Sequence, residues 1–124
     1  MTDTAEGFIG LVGAEAPKAS DGRASLTLEA DERHLNPAGT VHGGLLATLV
    51  DTTMGAAIRS AVGEEVPATS QLSITYLRPG KPGPLVVSAA VRKRGDSLTV
   101  CEADVEQDGR SLVHALATFA LLEP

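Results

Sequence analysis

The chain has 124 residues and a mass of 12.7 kDa, so we predict one domain over residues 1–124. Sixteen acidic against ten basic residues give a net charge of −6, which disfavours binding to nucleic acid or anionic lipid. A single cysteine, Cys101, excludes an intramolecular disulfide and fits a reducing, cytoplasmic setting. No uncharged apolar run reaches about 18 residues, and acids stand where a signal peptide carries positive charge, so neither a membrane span nor a signal peptide is expected.

The sequence pattern predicts one long helix among several strands. In chain order, the elements are a short helix over 5–12, a strand over 23–31, a loop over 32–41, a helix over 43–62, and strands over 68–78, 85–94, 98–107 and 111–122. Asp108-Gly109 is a strong hairpin signal. The last strand is nearly all apolar, so we expect it to be central or covered on both faces.

The long helix is apolar on most of its circumference, which is typical of a buried helix. The fold class is therefore α+β, an antiparallel sheet wrapped around one helix. Two Phe, one Tyr and no Trp leave the core to small aliphatic side chains. Because a short chain of such residues buries limited apolar area, we expect it to assemble with copies of itself.

Two features of this helix could carry chemistry. Gly43 and Gly44 at its start would let another group approach unpartnered backbone N–H donors, which can hold an anion or an oxyanion. The alternative is that both glycines only permit close packing. Asp51 lies in a helix almost free of charge, where it is either a general base or nucleophile, or a structural carboxylate bonded to Thr48 or Thr52.

Distance separates the two features within one chain. Gly43 and Asp51 are eight positions apart, which is about 12 Å along a helix axis. One small reactive group cannot touch both. If both act on the same bond, the carboxylate comes from a second subunit, as in a two-fold dimer with antiparallel helices.

Five other residues carry side chains that could take part in binding or catalysis. Asn36 is either a substrate contact or part of an Asn-Pro turn, and His42 is expected to position the loop rather than transfer protons. His34 is expected to be exposed, and His114 to be a satisfied core residue. Cys101 has no basic neighbour in sequence, so no reactive thiol is expected.

Charge is unevenly distributed along the chain. Residues 66–95 carry five basic side chains and no acid, which indicates either a site for an anion such as a phosphorylated ligand or solvated strand ends. Phosphate-loop, dinucleotide-binding and serine-triad motifs are absent, and no cluster has metal-ligand spacing.

The segment N-P-x-G-T-V-H-G-G at 36–44, followed by L-x-D-x-x-x-G at 49–55 and S-I-T-Y-L-R-P at 73–79, resembles a known family. The resemblance is to the hotdog-fold acyl-CoA thioesterases of the phenylacetic-acid-degradation (PaaI-like) group, and it extends from about Gly10 to Leu122. It implies a hotdog fold and two-fold dimers with a continuous sheet, usually paired into homotetramers. It also implies hydrolysis of an acyl- or aryl-acyl-CoA thioester, with coenzyme A as part of the substrate and no separate cofactor.

The resemblance also assigns roles to residues. Asp51 matches the catalytic base or nucleophile, and Gly43, with Gly44 as a second candidate, matches the backbone donor to the thioester carbonyl. Asn36 matches a residue that holds the carbonyl or the water, Thr69 one that orients the water, and His42 a positioning residue. The residues expected to meet coenzyme A are Arg78, Lys93, Arg94 and the turn from Gly95 to Ser97.

Two other functions remain open from the sequence. A hotdog domain can bind acyl-CoA without cleaving it, although a sensor has no use for Asp51 and Thr69. A hotdog dehydratase would need a histidine placed with the carboxylate, for which His42 is the only local candidate.

Overall fold

The computed structural model describes residues 6–124. Its elements are α1 (Gly7–Leu11), β1 (Lys18–Ser20), β2 (Arg23–Ala30), a 3-10 turn (Glu32–His34), α2 (Gly43–Arg59), β3 (Val66–Tyr76), β4 (Gly83–Arg94), β5 (Leu98–Gln107) and β6 (Arg110–Leu122). The predicted short helix is confirmed in the described part of its range, since Ala5 lies outside it. No helix within residues 6–124 has the length and hydropathy needed to cross a membrane.

The strands form one antiparallel sheet in the order β1-β2-β4-β5-β6-β3. The crossover through α2 carries the chain from β2 to the opposite edge, where β3 pairs with β6. The sheet curves around α2, which contacts β1 to β6. This arrangement confirms the predicted α+β class with one long helix.

Small aliphatic side chains fill the space between α2 and the sheet. In β2 every second residue is buried, as the alternation predicted. The helix contributes Leu49, Val50, Met54, Ala57 and Ile58, none of which has any exposed surface. Burial of this apolar area at about 25 cal/mol per Å² is the main force that holds the helix in the sheet.

One face of α2 remains open, contrary to the expectation of a helix covered on nearly all sides. Gly44, Thr48, Asp51, Gly55 and Arg59 are half-buried or exposed, and they recur at the three- and four-residue spacing of a single face. These residues are small or polar, whereas the packed faces are Leu, Val, Met and Ile. The open face crosses the middle of the molecule beside the β3 edge.

Both histidine environments were predicted wrongly. His34 is only 5% exposed, because its ring closes a capping box on Asp31 and contacts α1. His114 is exposed, with Nδ1 donating to Asp104 Oδ1 at 3.0 Å. Strand β6 is central, as predicted, but its outward face, which carries His114 and Leu116, is not covered.

The short strand β1 was missed because its turn signal was overlooked. Asp21 and Gly22 have φ values of +51° and +82°, which is the left-handed pair that a tight two-residue hairpin requires. Asp108 and Gly109 repeat this geometry with φ of +53° and +77°, at the hairpin that the sequence did predict.

Candidate active site

Asp51 and Thr69 meet on the open face of α2. Thr69 Oγ1 donates to Asp51 Oδ1 at 2.6 Å. Asp51 projects from the middle of α2, and Thr69 comes from β3, the edge strand beside it. Thr48, one of the two alternative partners expected from the sequence, instead donates to the Gly44 carbonyl at 2.9 Å. Among residues 6–124, no hydrogen bond reaches Asp51 Oδ2.

A β-bulge lies directly after Thr69. The pairing with β6 shifts between Thr69 and Gln71, and the extra residue, Ser70, hydrogen-bonds with Thr118 instead. Bulges redirect side chains and are frequent next to active sites. Here the bulge lies at the point where β3 presents its hydroxyl to the helix carboxylate.

The start of α2 offers one available backbone donor. His42 Nδ1 accepts the Gly44 N–H at 2.8 Å and so caps the helix. The Gly43 N–H makes no hydrogen bond to any residue in the described range, while its carbonyl accepts from the Tyr76 hydroxyl at 2.9 Å. Gly43 is therefore the donor left for a ligand, and Gly44 is already engaged.

Glycine is needed at both positions for steric reasons. A Cβ on Gly44 would lie 2.9 Å from His42 Nδ1, and a Cβ on Gly43 would lie 3.3 Å from the Tyr76 ring. The close approach of Tyr76 was not predicted. Its signal in the sequence was its place at the end of the alternating face that Leu72 and Ile74 share.

Asn36 uses its amide to order the loop before α2. Its Oδ1 accepts from the backbone N–H groups of Ala38 and Thr40 at 3.0 and 3.1 Å, and its Nδ2 donates to Thr40 Oγ1 at 2.9 Å. The Asn-Pro turn expected as one alternative is thus present. In this state the side chain organises the approach to Gly43.

Two clefts lie along the open face of α2. The first, about 600 Å³, is lined by Asp51, Arg59, Pro67, Thr69 and Phe119 among others. The second, about 480 Å³, lies at the helix start and is lined by Phe8, Leu11, His42, Gly44 and Leu45 among others. Since both Gly43 and Asp51 are in α2, the predicted separation of about 12 Å holds within one chain.

The basic residues predicted to bind coenzyme A are not all together. Arg94 pairs across the sheet with Thr99, whereas Arg78 donates to the carbonyl of Ser111, which pairs with Glu106. Thr99 and Glu106 are seven positions apart in β5, which is about 23 Å along the strand at about 3.3 Å per residue. Lys93 and Arg94 therefore lie at the opposite end of the sheet from Arg78.

Gly95 and Ser97 form a tight connection beside Lys93 and Arg94. The Gly95 N–H donates to the Leu98 carbonyl at 2.8 Å, and the Ser97 carbonyl accepts from Leu121 at 3.0 Å. A Cβ on Gly95 would lie 2.5 Å from the Leu98 oxygen, so this turn requires glycine.

Several ionisable side chains outside the Asp51–Thr69 pair have identifiable environments. Arg92 pairs with Glu102 at 3.3 Å and Arg94 with Glu65 at 3.5 Å, so part of the basic segment is neutralised locally. Burial raises the pKa of the Cys101 thiol to about 11, which agrees with an unreactive thiol. Arg59, in the last turn of α2, lines the Asp51 cleft.

Comparison with known proteins gives consistent matches. A family model described as the thioesterase superfamily matches residues 38–114. Human acyl-coenzyme A thioesterase 13 is 37% identical over 92 residues, which cover 70% of this chain and 63% of that protein. The chain thus spans less than two thirds of the length of this relative.

Two solved structures show the same fold. A conserved protein of Pseudomonas aeruginosa superposes with a TM-score of 0.90 at 32% identity, covering 97% of both chains. A Streptococcus pneumoniae thioesterase protein solved with coenzyme A gives 0.81 at 31% identity, covering 88% of this chain and 85% of that one. With the family match over more than half of its length, the chain belongs to the thioesterase superfamily and has its hotdog fold.

Proposed function

We propose that this protein is a PaaI-like acyl-CoA thioesterase that hydrolyses an acyl- or aryl-acyl-CoA thioester to the free acid and coenzyme A. Three findings support a coenzyme A thioester as the substrate. They are the motif at residues 36–44, the human acyl-coenzyme A thioesterase 13 relative, and the S. pneumoniae thioesterase solved with coenzyme A.

The observation that carries the proposal is the hydrogen bond from Thr69 to Asp51. Thr69 holds Oδ1 at 2.6 Å, Oδ2 accepts no hydrogen bond from residues 6–124, and Asp51 lines the cleft. A carboxylate held in this way can take a proton from water or attack the thioester carbon itself. Thr69 acts in this proposal by orienting the carboxylate and the water.

The Gly43 N–H is the proposed oxyanion donor. It stands at the positive end of the α2 dipole, and its site is ordered by His42, Asn36 and Tyr76. Removing one such donor from an acyl-transfer enzyme typically costs about 10²- to 10³-fold in kcat. The Gly44 N–H contributes by holding His42 rather than by donating to the thioester carbonyl.

A two-fold dimer completes the site in this proposal. Gly43 and Asp51 of one chain lie about 12 Å apart, and antiparallel packing of two helices brings the start of one beside the middle of the other. Strand β3 is an edge strand of the described sheet and carries Thr69, so pairing of two β3 edges would make the sheet continuous. The family resemblance extends this to a tetramer of two such dimers.

Lys93, Arg94 and the turn from Gly95 to Ser97 are the proposed contacts for the coenzyme A phosphates. They lie together at one end of the sheet, at the side where α2 ends. Arg78 lies at the other end, so it can join the same ligand only from a second protomer. The proposed reaction uses water as its only co-substrate and no cofactor.

The test is release of free thiol from a panel of acetyl-, hexanoyl-, decanoyl- and phenylacetyl-CoA, followed with a thiol reagent. Turnover of at least one thioester by the wild-type protein, lost in Asp51→Asn, supports the proposal. Binding of acyl-CoA without thiol release would replace it with the sensor function. Addition of water to the double bond of an enoyl-CoA included in the panel, with the thioester intact and no thiol released, would indicate a dehydratase.

A further inference from the structure

The cleft at the start of α2 has an apolar wall that the described chain leaves uncovered. Phe8 and Leu11 of α1 form this wall and are 62% and 76% exposed. No residue of α1 is fully buried. Large apolar side chains grouped in a concavity usually mark a binding surface rather than a structural core.

The wall is held in place by His34. Because His34 Nδ1 accepts from the Asp31 N–H at 2.9 Å, its Nε2 carries the proton and donates to the Val12 carbonyl at 2.7 Å. The backbone carbonyl of His34 accepts from the His42 N–H at 2.8 Å. One buried side chain therefore ties the end of α1 to the loop that starts the catalytic helix.

The cleft lies beside the proposed oxyanion donor. His42 and Gly44, the sequence neighbours of Gly43, line it together with Leu45 and Thr48 of α2. Gly43 itself lines a separate cleft with Tyr76 and Arg78. When a thioester carbonyl is held at Gly43, its acyl chain and its coenzyme A arm must extend in different directions. The cleft around Asp51, Thr69 and Arg59 is the more polar of the two and suits the coenzyme A arm.

We propose that the cleft between α1 and the start of α2 binds the acyl chain, and that Phe8 and Leu11 determine which chain lengths are preferred. This inference rests on the proposed function for its orientation of the thioester. The acyl cleft and the Gly43 donor belong to the same protomer, whereas Asp51 comes from the other.

The lining defines the chemical class of the acyl group. Thr48 Oγ1 is engaged with the Gly44 carbonyl at 2.9 Å, and Arg33 at the rim pairs with Asp31 at 3.2 Å. Five apolar residues, Phe8, Leu11, Val12, Leu35 and Leu45, make up half of the lining, and His34, His42 and Gly44 complete it. A volume of about 480 Å³ exceeds what an acetyl group fills, so we infer an uncharged acyl chain of medium length or an aryl-acyl group.

Burial of each added CH₂ should raise affinity about three- to fourfold while the chain stays inside the cleft. The experiment measures binding of acetyl-, hexanoyl- and decanoyl-CoA to Asp51→Asn protein by calorimetry, alone and combined with Phe8→Ala or Leu11→Ala. Both side chains are exposed, so neither substitution should affect folding. The expected result is at least a tenfold fall in the ratio of decanoyl-CoA to acetyl-CoA affinity.

The matched control is Leu116→Ala, a leucine that is 47% exposed on the outward face of β6. It should leave the affinity ratio unchanged. An unchanged ratio in both α1 variants, or an equal loss for all three thioesters, would overturn the inference. So would a change of oligomer mass in the α1 variants, since the wall would then cover a second copy.

This design separates the inference from the proposed function. If the affinity depends on chain length and on α1 while the wild-type protein releases no thiol, the acyl cleft is supported and the hydrolase is rejected. Thiol release by the wild type with no effect of Phe8 or Leu11 on the affinity ratio would keep the hydrolase and reject the cleft.

Discussion

Thr69 and Asp51 are 18 positions apart in sequence, yet the hydroxyl of one donates to the carboxylate of the other at 2.6 Å. The contact joins an edge strand to the open face of the central helix. Hydrogen bonds to a charged acceptor are short and strong, so this bond fixes the direction of the carboxylate.

Asp51→Asn should lower kcat by about 10²- to 10⁴-fold, since the amide can neither take a proton from water nor attack the thioester. Thiol release under saturating acyl-CoA measures the effect. Asp104→Asn is the matched control and should retain full activity, because Asp104 is a half-buried carboxylate that bonds to His114 on the outward sheet face. Activity of Asp51→Asn within a few-fold of the wild type would remove Asp51 from the chemistry.

Thr69→Val keeps the shape of the side chain and removes the donor to Asp51. A hydrogen bond to a charged group contributes about 1.5–3 kcal/mol, so we expect kcat/KM to fall about 10- to 100-fold. Thr69→Ser restores a hydroxyl and should recover most of the activity. Equal activities of the Val and Ser variants would mean that the hydroxyl has no role in turnover.

Mixed oligomers should reveal whether the site is shared between protomers. Asp51→Asn and Gly43→Val are each expected to be inactive, the second because the Cβ alone would lie 3.3 Å from the Tyr76 ring and the two methyl groups of valine would crowd the donor. After random exchange of protomers, about a quarter of the wild-type sites should have both groups intact if they come from different chains of a two-fold dimer.

The measurement is the activity of co-expressed variants, compared with the same two proteins mixed without exchange. No recovery in verified mixed dimers would place both groups in one chain. That outcome would contradict the two-protomer site while leaving hydrolysis itself untouched.

Gly95→Ala should lower the free energy of unfolding by about 1–3 kcal/mol, since the new Cβ would lie 2.5 Å from the rigid Leu98 carbonyl. Gly63→Ala is the matched control, because no heavy atom lies within 4 Å of its added Cβ. That variant should be neutral or slightly stabilising. Urea unfolding of both proteins measures the difference, and similar midpoints would contradict the steric argument.

Cys101 should make stability fall at alkaline pH. Burial raises its pKa from 9.0 to about 11, so the folded state favours the neutral thiol. This contribution is complete below pH 9 and is lost as the pH rises through 11, because the unfolded chain ionises first. The loss is at most about 1.4 kcal/mol per pH unit.

Urea unfolding between pH 8 and 11 tests this prediction. Cys101→Ala should be less stable at neutral pH because it leaves a cavity, but it should lack the alkaline fall that belongs to the thiol. Parallel stability curves for the two proteins would show that Cys101 does not contribute to the pH dependence.

Much of the fold was predictable because hydrophobic periodicity reports which face of an element is buried. The strands β2 to β6 and the helix α2 were all predicted within a few residues, and Asp108-Gly109 located its hairpin correctly. Strand β1 was missed, although Asp21-Gly22 is the same dipeptide in the same geometry. Three residues give too short a pattern to show periodicity, so only the turn could have predicted it.

Local sequence failed wherever burial depends on distant residues. His34 looked like a loop histidine, but α1 packs over it and takes its Nε2 hydrogen bond. His114 looked like a core residue because its neighbours in β6 are apolar, yet the alternation of the strand turns it outward beside Asp104. The sequence did not predict the open face of α2, because glycine and alanine occur on both packed and exposed helix faces.

The sequence by itself determined the element order, the glycine-rich start of α2 and the carboxylate two turns further along, because these follow from spacing and residue type. Only the tertiary structure decided that Thr69 is the partner of Asp51 and that Arg78 is far from Arg94. These two relationships depend on strand register and on a bulge in β3. Both arise from packing of the whole sheet around the helix, which no local pattern encodes.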